Sequence, residues 1–394
     1  MRIGMILDKE FPPDPRVENE AHSLIEAGHE VILFCLTYGK ETREEIRNGV
    51  FVKRYLSNKL EYKLSALSYD FPLYSYFMKR KIKDFVKRNA LDVLHIHDMT
   101  VAQAVFDVNR KTKIPVVLDL HDNIPENMVY YPHLQKFPGK YLISPKRWKK
   151  REEEWILKSD FVITVSLEFV DEIISRTHIA KEKMVLVPNS VRKEFYLNYR
   201  TNLSIISRYK GHFVLLYLGD TNLRRGLLTA IKAVPHLVDK IPQLKLVIVG
   251  KNTTDPILKD AVKKLQIEKY VDFEGWQEMV LFPSYIQASN ICLSPLHRSP
   301  QHDVAYANKI FQYMSFGKPL LVSDAIAQKR IVERVGSGLV HKERDIQDFT
   351  NRVIEIYTDK EAAKNFGKRG KDFIEKEFSW EITSNNLINL YERI

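Results

Sequence analysis

Residues 308–319 contain the strongest indication of chemistry in this sequence. Their pattern predicts a short helix, a glycine cap and a buried strand. A helix N-terminus favours anions, because its first backbone N–H groups have no partner within the helix. Asn308 and Gln312 are one turn apart with Lys309 beside them, so a diphosphate at the helix start and a ribose one turn along would suit the spacing. A helix that merely connects two strands is the alternative, because short motifs also match by chance.

A second segment, residues 218–226, combines glycine with arginine directly after an apolar run. Gly219 would let the backbone approach a ligand closely, and the guanidinium groups of Arg224 and Arg225 match phosphate oxygens. We expect the two arginines to open the following helix and to bind a phosphorylated ligand. A solvated turn is the alternative, and we expect one of the two arginines to lie in solvent.

Two histidine–aspartate pairs follow predicted strands in the first half of the chain. His97 and Asp98 follow one strand, and His121 and Asp122 follow the next. A metal site is conceivable, but pairs on separate loops lack the fixed spacing of metal-ligand motifs. Hydrogen bonding to a sugar or another acceptor is therefore favoured over metal binding. Structural capping of the strand ends is the third interpretation.

Helices and strands must hold these residues in position. Both halves of the chain show short apolar runs that alternate with predicted helices. The first run, residues 3–7, leads through a proline-rich loop into a helix that begins near Asp14 and Arg16. We assign these two residues to an acceptor side, although they could equally form a charge pair at the helix N-terminus. The other predicted strands are 31–36, 93–96, 115–120, 161–165 and 185–187, then 213–218, 244–249, 271–273, 291–295 and 320–322.

Such alternation is typical of a parallel sheet covered by helices on both faces. We therefore predict an α/β fold with two Rossmann-like doubly wound domains that face each other across a cleft. Ligands of such sheets bind beyond the carboxyl ends of the strands, so loops from both domains would line the cleft. The polar stretch at residues 196–210 predicts the boundary, which gives domains at 1–195 and 211–377.

The composition supports this division and restricts the location of the protein. A chain of 394 residues exceeds one typical core, and 44% hydrophobic with 28% charged residues is an ordinary globular balance. No apolar run approaches the roughly 20 residues of a membrane span, and Asp8 follows the start too closely for a signal peptide. Cys35 and Cys292 lie singly within apolar runs, which predicts reduced core residues and a cytoplasmic location.

The net charge of +11 favours anionic partners such as nucleic acid, anionic lipid or phosphorylated small molecules. Residues 59–88 and 136–158 each carry eight Lys/Arg against three acids, interleaved with aromatic residues. This pattern predicts contact with an anionic membrane surface, peripheral to a cytoplasmic protein, although such aromatics can also pack inside a domain. No helix-turn-helix, RNP or OB pattern is present, so we expect no nucleic-acid partner.

Several short motifs occur in a fixed order along the chain. They are residues 14–17 (Asp-Pro-Arg-Val), 27–31 (Ala-Gly-His-Glu-Val), 187–191 (Val-Pro-Asn-Ser-Val), 308–314 (Asn-Lys-Ile-Phe-Gln-Tyr-Met) and 378–380 (Phe-Ser-Trp). In these residues the chain resembles the GT-B retaining glycosyltransferases of the group 1 or family 4 type, with residues 308–314 similar to the NKxFEYM subgroup. The resemblance covers nearly the whole length.

The resemblance implies that the second domain binds a nucleotide sugar and that the first binds a carbohydrate or lipid-linked acceptor. It implies a helix at 378–394 that crosses back to the first domain. The transfer would retain the anomeric configuration without metal or cofactor, because the leaving phosphate helps deprotonate the acceptor while positive groups stabilise the diphosphate. The resemblance assigns Arg225 to the diphosphate, the Asn308 and Lys309 amides to the phosphates, Gln312 to the ribose, Gly275 with Trp276 to the base edge, and His121 to the donor sugar. We therefore predict His121 and Arg225 as catalytic residues, with Gly219 beside Arg225 in the donor site. We predict Asp14, Arg16, His97 and Asp98 on the acceptor side.

The sequence departs from the family pattern at three places. The common E-x7-E falls at Val304 and Gln312, the common arginine after the first strand of the second domain is Asp220, and Pro12-Pro13 replaces a glycine pair. A neutral amide can still hydrogen-bond a ribose hydroxyl, though less strongly than a carboxylate. These departures leave open a sugar-nucleotide-binding protein that has lost catalysis. An epimerase or phosphorylase of the same fold is the other alternative.

Overall fold

The computed structural model describes residues 1–39, 43–71 and 73–394, apart from the side chain of Pro132. The chain forms two compact units, unit 1 at Met1–Pro188 with Ser384–Ile394, and unit 2 at Asn189–Thr383. Each unit contains one largely parallel β-sheet covered by helices. This arrangement confirms the predicted α/β fold with two Rossmann-like domains.

Unit 1 is built on an eight-stranded sheet in the order β3-β4-β2-β1-β5-β6-β7-β8. All neighbouring strands are parallel except the edge pair β3 and β4, which is antiparallel. The strands are β1 (Arg2–Glu10), β2 (Glu30–Thr37), β3 (Glu44–Arg47), β4 (Val50–Leu56), β5 (Val93–His97), β6 (Val116–Leu120), β7 (Phe161–Thr164) and β8 (Met184–Leu186). The sequence patterns missed β3 and β4, and the predicted all-parallel sheet is therefore wrong at this edge.

The helices of unit 1 follow from local signals in the sequence. In α1, the Asp14 side chain accepts a hydrogen bond from the Val17 N–H at 3.2 Å and caps the helix, and Val17, Ala21 and Leu24 are buried. Gly28 then adopts φ 88°, a left-handed conformation that favours glycine and ends the helix. The helices are α1 (Pro15–Glu26), α2 (Lys59–Ser65), α3 (Leu73–Asn89), α4 (Ala102–Thr112), α5 (Ile124–Met128), α6 (Gly139–Leu142), α7 (Pro145–Lys158) and α8 (Leu167–Thr177).

Unit 2 has a six-stranded parallel sheet in the order β11-β10-β9-β12-β13-β14. Alternate residues of β9 and β10 pack into two separate hydrophobic clusters, so the sheet is buried on both faces. The strands are β9 (Phe213–Leu218), β10 (Leu244–Val249), β11 (Val271–Gly275), β12 (Ile291–Ser294), β13 (Leu320–Ser323) and β14 (Gly338–His341). The first five were predicted within two residues at each end, and β14 was missed.

The helices of unit 2 cover both faces of this sheet. They are α9 (Lys193–Leu197), α10 (Leu203–Tyr209), α11 (Leu227–Val238), α12 (Asp255–Lys264), α13 (Phe282–Ala288), α14 (Pro300–Val304), α15 (Lys309–Ser315), α16 (Ile326–Val335), α17 (Ile346–Thr358), α18 (Lys360–Phe373) and α19 (Trp380–Thr383). The two arginines expected at the start of a helix lie instead in a 3-10 turn at Leu223–Arg225. Gly226, at φ 78°, separates this turn from α11.

The boundaries of the units differ from the predicted ones. Tyr196, Ile205 and Tyr209 of the polar stretch are buried in a core cluster of unit 2, so this stretch belongs to unit 2 and the division falls after Pro188. The chain returns to unit 1 at Ser384 rather than at residue 378, and its last helix is α20 (Asn385–Tyr391). This return confirms that the C-terminal helix crosses back to the first domain.

The fold also bears on two predictions from composition, the buried reduced cysteines and the absence of a membrane span. Cys35 and Cys292 are buried and free, as expected. Within the described part of the chain, every helix is too short or too polar to cross a membrane.

Candidate functional site

Unit 1 gathers polar side chains at the carboxyl ends of β1, β5 and β6, which are neighbours in the sheet. His97 ends β5 and is fully buried, while Asp98 follows it at φ 64°, a left-handed conformation that aspartate tolerates. His121 follows β6 and is the partly exposed member, with 15% of its side chain accessible. The structure therefore brings together the predicted His97, Asp98 and His121.

A buried ion pair lies beneath these residues. Arg16 donates from Nε and Nη2 to the two carboxylate oxygens of Asp119, at 3.0 and 2.7 Å, and from Nη1 to the Val187 carbonyl at 2.9 Å. Arg16 is 7% exposed and Asp119 is fully buried. Arg16 thus forms a two-point ion pair in the core, whereas Asp14 caps α1. The charge pair between Asp14 and Arg16 considered from the sequence is replaced by the pair of Arg16 with Asp119.

His121 stands between two carboxylates. Its Nε2 lies 2.7 Å from Asp119 Oδ2, and its Nδ1 lies 3.6 Å from Asp98 Oδ2. Burial alone would lower the pKa of His121, but the charges of Asp98 and Asp119 outweigh it and raise the pKa to about 9. His121 is therefore an imidazolium at neutral pH, and it presents a fixed positive charge at the edge of the sheet.

Three further buried residues surround Asp119, and the sequence patterns did not identify them. His95 Nε2 lies 3.4 Å from Glu20 Oε2 and 3.7 Å from Asp119 Oδ2, and His95 Nδ1 lies 2.6 Å from the Tyr391 hydroxyl of α20. Burial raises the pKa of Glu20 to about 8, although Arg16 opposes this shift. A charged residue at position 119 within the otherwise apolar β6 was a usable signal for this cluster.

Four of these side chains could bring metal-ligand atoms to within 4.8 Å of one another, namely Glu20, His95, His97 and Asp119. The oxygens of Asp119 already accept hydrogen bonds from Arg16 and His121. A metal ion here would also stand close to two positive groups, which disfavours its binding. The chemistry of the cluster therefore fits a charge-balanced hydrogen-bond network better than a metal centre.

Asp8 is a further carboxylate at the same edge, and the sequence patterns did not single it out. It lies near the end of β1, is 7% exposed, and accepts a hydrogen bond from the Tyr74 hydroxyl at 3.1 Å. Burial raises its pKa to about 6, with the Asp98 charge adding to the shift and Lys9 opposing it. Lys9 Nζ in turn lies 3.7 Å from Asp98 Oδ2. Asp8 therefore extends the row of polar groups along the sheet edge.

In unit 2, the chain turns sharply at the carboxyl end of β9. Gly219 has φ 117°, and a Cβ placed on Gly250 would come 1.8 Å from the Gly219 carbonyl oxygen. The Gly250 N–H donates to the Gly275 carbonyl at 2.7 Å. Three glycines therefore end the adjacent strands β9, β10 and β11 with little side-chain bulk, which leaves the backbone approachable.

Arg225 lies beside this turn and is held from two sides. Its Nε is 3.4 Å from Asp220 Oδ2, and its Nη1 is 3.5 Å from His302 Nε2. His302 Nδ1 contacts the His297 carbonyl at 2.7 Å, so Nδ1 carries the hydrogen and Nε2 accepts from Arg225. Burial lowers the pKa of His302 to about 4, which keeps it neutral. His302 is a site residue for which the sequence offered no signal.

Lys309 reaches the same strand end from α15. Its Nζ lies 3.5 Å from the centroid of the Tyr217 ring, and a Cβ on Gly219 would lie 3.4 Å from Nζ. Burial, followed by the nearby Arg225 charge, lowers the pKa of Lys309 well below its usual value. The structure thus places the predicted Gly219, Arg225 and Lys309 together, and an anion bound there would relieve the repulsion between the two cations.

The other residues that we predicted to bind the donor substrate are less closely connected to Arg225 and Lys309. Asn308 is exposed and precedes α15 without capping it through its side chain, and Gln312 lies one turn along the same helix. Gly275 ends β11 at φ 67°, and the following Trp276 is 70% exposed. Within the described residues, no hydrogen bond, ion pair or ring contact joins the Gln312 or Trp276 side chain to Arg225 or Lys309.

Two family models match the two halves of the chain. The family model for glycosyl transferases group 1 matches residues 200–373, and the model for glycosyltransferase family 4 matches residues 16–195. Phosphatidyl-myo-inositol mannosyltransferase of Mycolicibacterium smegmatis is 20% identical over 411 residues, which cover 100% of this chain and 94% of that protein. Glycogen synthase of Mycobacterium tuberculosis is 22% identical over 301 residues, which cover 76% of this chain and 68% of that protein.

Solved structures share the fold over the full length. Sucrose-phosphate synthase from Thermosynechococcus elongatus has a TM-score of 0.79 at 18% identity and covers 100% of this chain and 98% of its own. HepE from Anabaena, solved in complex with UDP, has a TM-score of 0.74 at 14% identity and covers 100% of both chains. The family 4 model falls on the first half of the chain and the group 1 model on the second, so the chain is a glycosyltransferase, and its fold is the GT-B fold of its structural neighbours.

Proposed function

We propose that the protein transfers a sugar from a nucleoside diphosphate sugar to a carbohydrate or lipid-linked acceptor, with retention of anomeric configuration and without metal. Unit 2 binds the donor in this proposal, and unit 1 binds the acceptor. The observation that carries the proposal is the convergence of Arg225 and Lys309 on the glycine turn at Gly219. Two cations beside an approachable backbone suit a diphosphate, because charged groups bind phosphate oxygens through short, strong hydrogen bonds.

The names of relatives support the two substrate classes. HepE was solved with UDP and with UDP-glucose, which supports a nucleotide sugar as the donor. A mannosyltransferase acting on phosphatidyl-myo-inositol supports a lipid-linked acceptor, and glycogen synthase supports a carbohydrate acceptor. The synthesis of a cell-surface polysaccharide or glycolipid is the pathway that we propose.

The proposed reaction needs one bond to break and one to form on the same face of the sugar. The bond from the anomeric carbon to the diphosphate oxygen breaks, the acceptor oxygen bonds to that carbon, and the acceptor proton passes to the departing phosphate oxygen. Arg225 and Lys309 stabilise the negative charge that develops on the diphosphate. His121 has the role that the family resemblance implies, next to the donor sugar, and its imidazolium charge suits a site where negative charge develops.

A lipid-linked acceptor is consistent with one exposed surface of unit 1, which we call the aromatic-basic patch. Phe137 and Tyr141 are 84% and 76% exposed, and Tyr76 is 72% exposed. The exposed Arg147 pairs with Asp70, which joins the start of α7 to the loop before α3. The patch comprises Phe71, Leu73, Tyr76, Lys136, Phe137, Lys140, Tyr141, Leu142, Lys146, Arg147 and Lys150.

The second candidate is a protein that binds the nucleotide sugar but has lost catalysis. Asp220 favours it, because its carboxylate pairs with Arg225 and offsets part of the positive charge at the donor site. An assay of donor hydrolysis separates the two candidates, since a transferase slowly releases sugar from its donor and a binding protein does not.

Thermal unfolding with a panel of UDP-, GDP- and ADP-sugars tests the donor. A ligand at 100 times its Kd adds roughly 2.7 kcal/mol to stability, which gives a clear shift in Tm. We expect at least one nucleoside diphosphate sugar to raise the Tm. If every member of the panel leaves the Tm unchanged, the donor proposal is wrong.

The role of Gln312 is tested by Gln312→Glu. We expect this variant to keep or tighten nucleotide binding, because a carboxylate accepts hydrogen bonds from ribose hydroxyls more strongly than an amide does. Binding affinity for the best nucleoside diphosphate of the panel is the measurement. A folded variant that no longer binds the nucleotide would show that Gln312 does not face the ribose.

A further inference from the structure

A cavity of about 460 Å³ lies in unit 1, between helices rather than at the strand ends. Its walls come from the loop before α3 and from α3, α4 and α7. The volume lies within the roughly 300–1,000 Å³ that is typical of small-molecule sites in proteins. The Tyr69 hydroxyl, in one wall, donates to the Met99 carbonyl in the chain that follows β5. The cavity is therefore a neighbour of the strand-end residues of unit 1.

Ser75 lines this cavity with a hydroxyl group that the fold does not use. The residue lies in the first turn of α3 and is 7% exposed, and among the described residues its Oγ has no hydrogen-bond partner. Nearly all buried polar groups in proteins are hydrogen-bonded, so a buried hydroxyl group without a partner requires an explanation. A polar ligand in the cavity would supply the missing partner.

Two further side chains in the walls have free hydrogen-bonding capacity. The half-buried Gln103 of α4 makes no side-chain hydrogen bond to the described residues, and its amide offers both donors and an acceptor. Asp107 accepts from Arg110 at Oδ1, at 2.6 Å, while its Oδ2 lies 3.7 Å from Lys79 Nζ and is open to a further donor. Donors and acceptors therefore lie side by side, which suits hydroxyl groups, because each hydroxyl group both donates and accepts.

The charges around the cavity are balanced. Each charged side chain in its described lining has an opposite charge beside it, and the pairs are Lys79 with Asp107, Arg151 with Glu154, and Asp70 with Arg147. An excess of one sign would attract an ion of the other sign, whereas paired charges largely cancel for a ligand beside them. The lining therefore favours an uncharged polar ligand over an anion.

Two largely exposed aromatic rings complete the lining. Phe71 is 45% exposed and Tyr76 is 72% exposed, and both line the cavity. Sugars carry apolar C–H faces beside their hydroxyl groups, and an aromatic ring next to polar side chains suits such a surface. Both rings also belong to the aromatic-basic patch, so the cavity opens where the proposed function places a membrane.

We propose that this cavity binds an uncharged sugar unit of the acceptor, other than the unit that receives the transferred sugar. Ser75, Gln103 and Asp107 hydrogen-bond its hydroxyl groups, and Tyr76 packs against its C–H face. The role of this sugar as part of an acceptor rests on the proposed function, whereas its binding here does not. A lipid-linked acceptor and a free carbohydrate present the same chemistry to these residues, so the test includes both.

Binding of the full-length protein is measured with a panel of uncharged methyl glycosides and disaccharides by ligand-observed NMR. The same sugars on glycolipids in neutral vesicles are tested by co-sedimentation, against vesicles without sugar. We expect at least one sugar to bind, and Ser75→Ala, Gln103→Leu and Tyr76→Ala each to weaken its binding by about 3- to 10-fold. Tyr62→Ala, which removes a 60% exposed ring of α2 outside the cavity, is the matched control and should leave binding unchanged. Binding of free sugars identifies a free carbohydrate as a source, and sugar-dependent binding to vesicles alone identifies a lipid-linked one.

Ser75→Ala also separates a binding role from a structural one. Because the Ser75 hydroxyl group makes no hydrogen bond within the described fold, we expect the variant to have the same Tm as the wild type or a higher one. An equal or higher Tm together with weaker sugar binding supports the proposal. A lower Tm with unchanged sugar binding overturns it. A panel in which no sugar binds in either form overturns it too, as does sugar binding that none of the three cavity variants weakens.

The kinetics of transfer distinguish this inference from the proposed function. In Ser75→Ala we expect the KM for the acceptor to rise by the factor by which sugar binding weakens, with kcat and the rate of donor hydrolysis unchanged. An unchanged acceptor KM overturns the assignment of the cavity to the acceptor and leaves the proposed function standing. If sugars bind at the cavity and the protein transfers sugar to no acceptor, the carbohydrate site stands and the proposed function is wrong.

Discussion

Three charged side chains lie at the carboxyl end of β9, namely Arg225, Lys309 and Asp220. Their net charge decides which ligands this edge of unit 2 attracts. Burial and the positive Arg225 both disfavour the ammonium form of Lys309, and the face of the Tyr217 ring offsets this only in part, so the ammonium is poorly stabilised without a ligand. Asp220 compensates part of the charge through Arg225. A diphosphate carries enough negative charge to pair with both cations, whereas a neutral ligand would leave Arg225 and Lys309 repelling each other.

We therefore expect Arg225→Ala to weaken binding of a nucleoside diphosphate by about 10- to 100-fold. Losing one charge-assisted hydrogen bond costs on the order of 1.5–3 kcal/mol. Calorimetric titration should show this loss for the diphosphate and none for the corresponding nucleoside. Arg352→Ala, on α17, controls for the change in net charge. Unchanged diphosphate affinity in Arg225→Ala would assign the phosphates to another part of unit 2.

His121 makes the stability of unit 1 depend on pH. Its folded pKa of about 9 lies above the ordinary 6.5, so the folded protein holds its proton more tightly than the unfolded chain. This contribution is fully present below pH 6.5 and is lost as the pH rises towards 9, and it amounts to about 3 kcal/mol. We expect the urea midpoint of the wild type to fall across this interval.

The control for this prediction is His121→Gln, in which the same fall should be smaller. The difference between the two proteins isolates His121 from Glu20, whose raised pKa also reduces stability as the pH rises from 4.5 to about 8. Parallel curves for the two proteins from pH 6.5 to 9 would mean that His121 does not carry a bound proton.

At the scale of elements, the turn from β9 to α11 decides whether Arg225 can reach the strand end. Gly226 separates the 3-10 turn from the helix at φ 78°, and a Cβ on it would lie 1.6 Å from the Pro295 carbonyl oxygen. The backbone of the next strand end therefore passes directly against the turn. The sequence showed a glycine after two arginines but not the close approach that requires it.

We expect Gly226→Ala to destabilise unit 2 by about 3 kcal/mol or more, because a left-handed alanine and a backbone clash combine. Gly275→Ala is the matched control, since Gly275 also has a positive φ, of 67°, but has open space at its Cβ position. It should cost only about 1 kcal/mol. Equal losses of unfolding free energy in the two variants would contradict the importance of the Pro295 contact.

The sequence predicted the strands of this enzyme better than it predicted the contacts within the candidate site. The runs at Phe213–Leu218 and Leu244–Val249 were predicted at their observed bounds, because a buried parallel strand is a continuous apolar run. The edge strand Glu44–Arg47 was missed, because most of its residues are exposed and polar. The pairing of Arg16 with Asp119 crosses 103 positions and depends on the tertiary fold. Motif spacing therefore located the strand ends but not the partners of each side chain.

At the scale of the whole molecule, the net charge of +11 is not a sufficient reason for membrane contact. The relevant observation is that the aromatic-basic patch combines exposed rings with exposed lysines in unit 1, while other aromatic residues of the same stretches are buried. Tyr69, Tyr74, Phe85, Trp148 and Trp155 all pack inside the unit. The rings left exposed are thus a subset that the core does not use, which supports an interfacial role.

We expect the protein to co-sediment with vesicles that contain anionic lipid and to bind neutral vesicles weakly, with binding that falls as salt rises. Each Lys or Arg near an anionic surface contributes about 1 kcal/mol, so Lys140→Glu combined with Lys146→Glu should weaken binding by about 10-fold or more. Phe137→Ser with Tyr141→Ser should weaken it at all salt concentrations, because ring insertion is not screened. Trp276→Ser, which removes an equally exposed ring from unit 2, should have no effect. If the wild type ignores anionic vesicles even at low salt, the patch does not bind membranes, and a soluble carbohydrate becomes the acceptor that the proposed transfer requires.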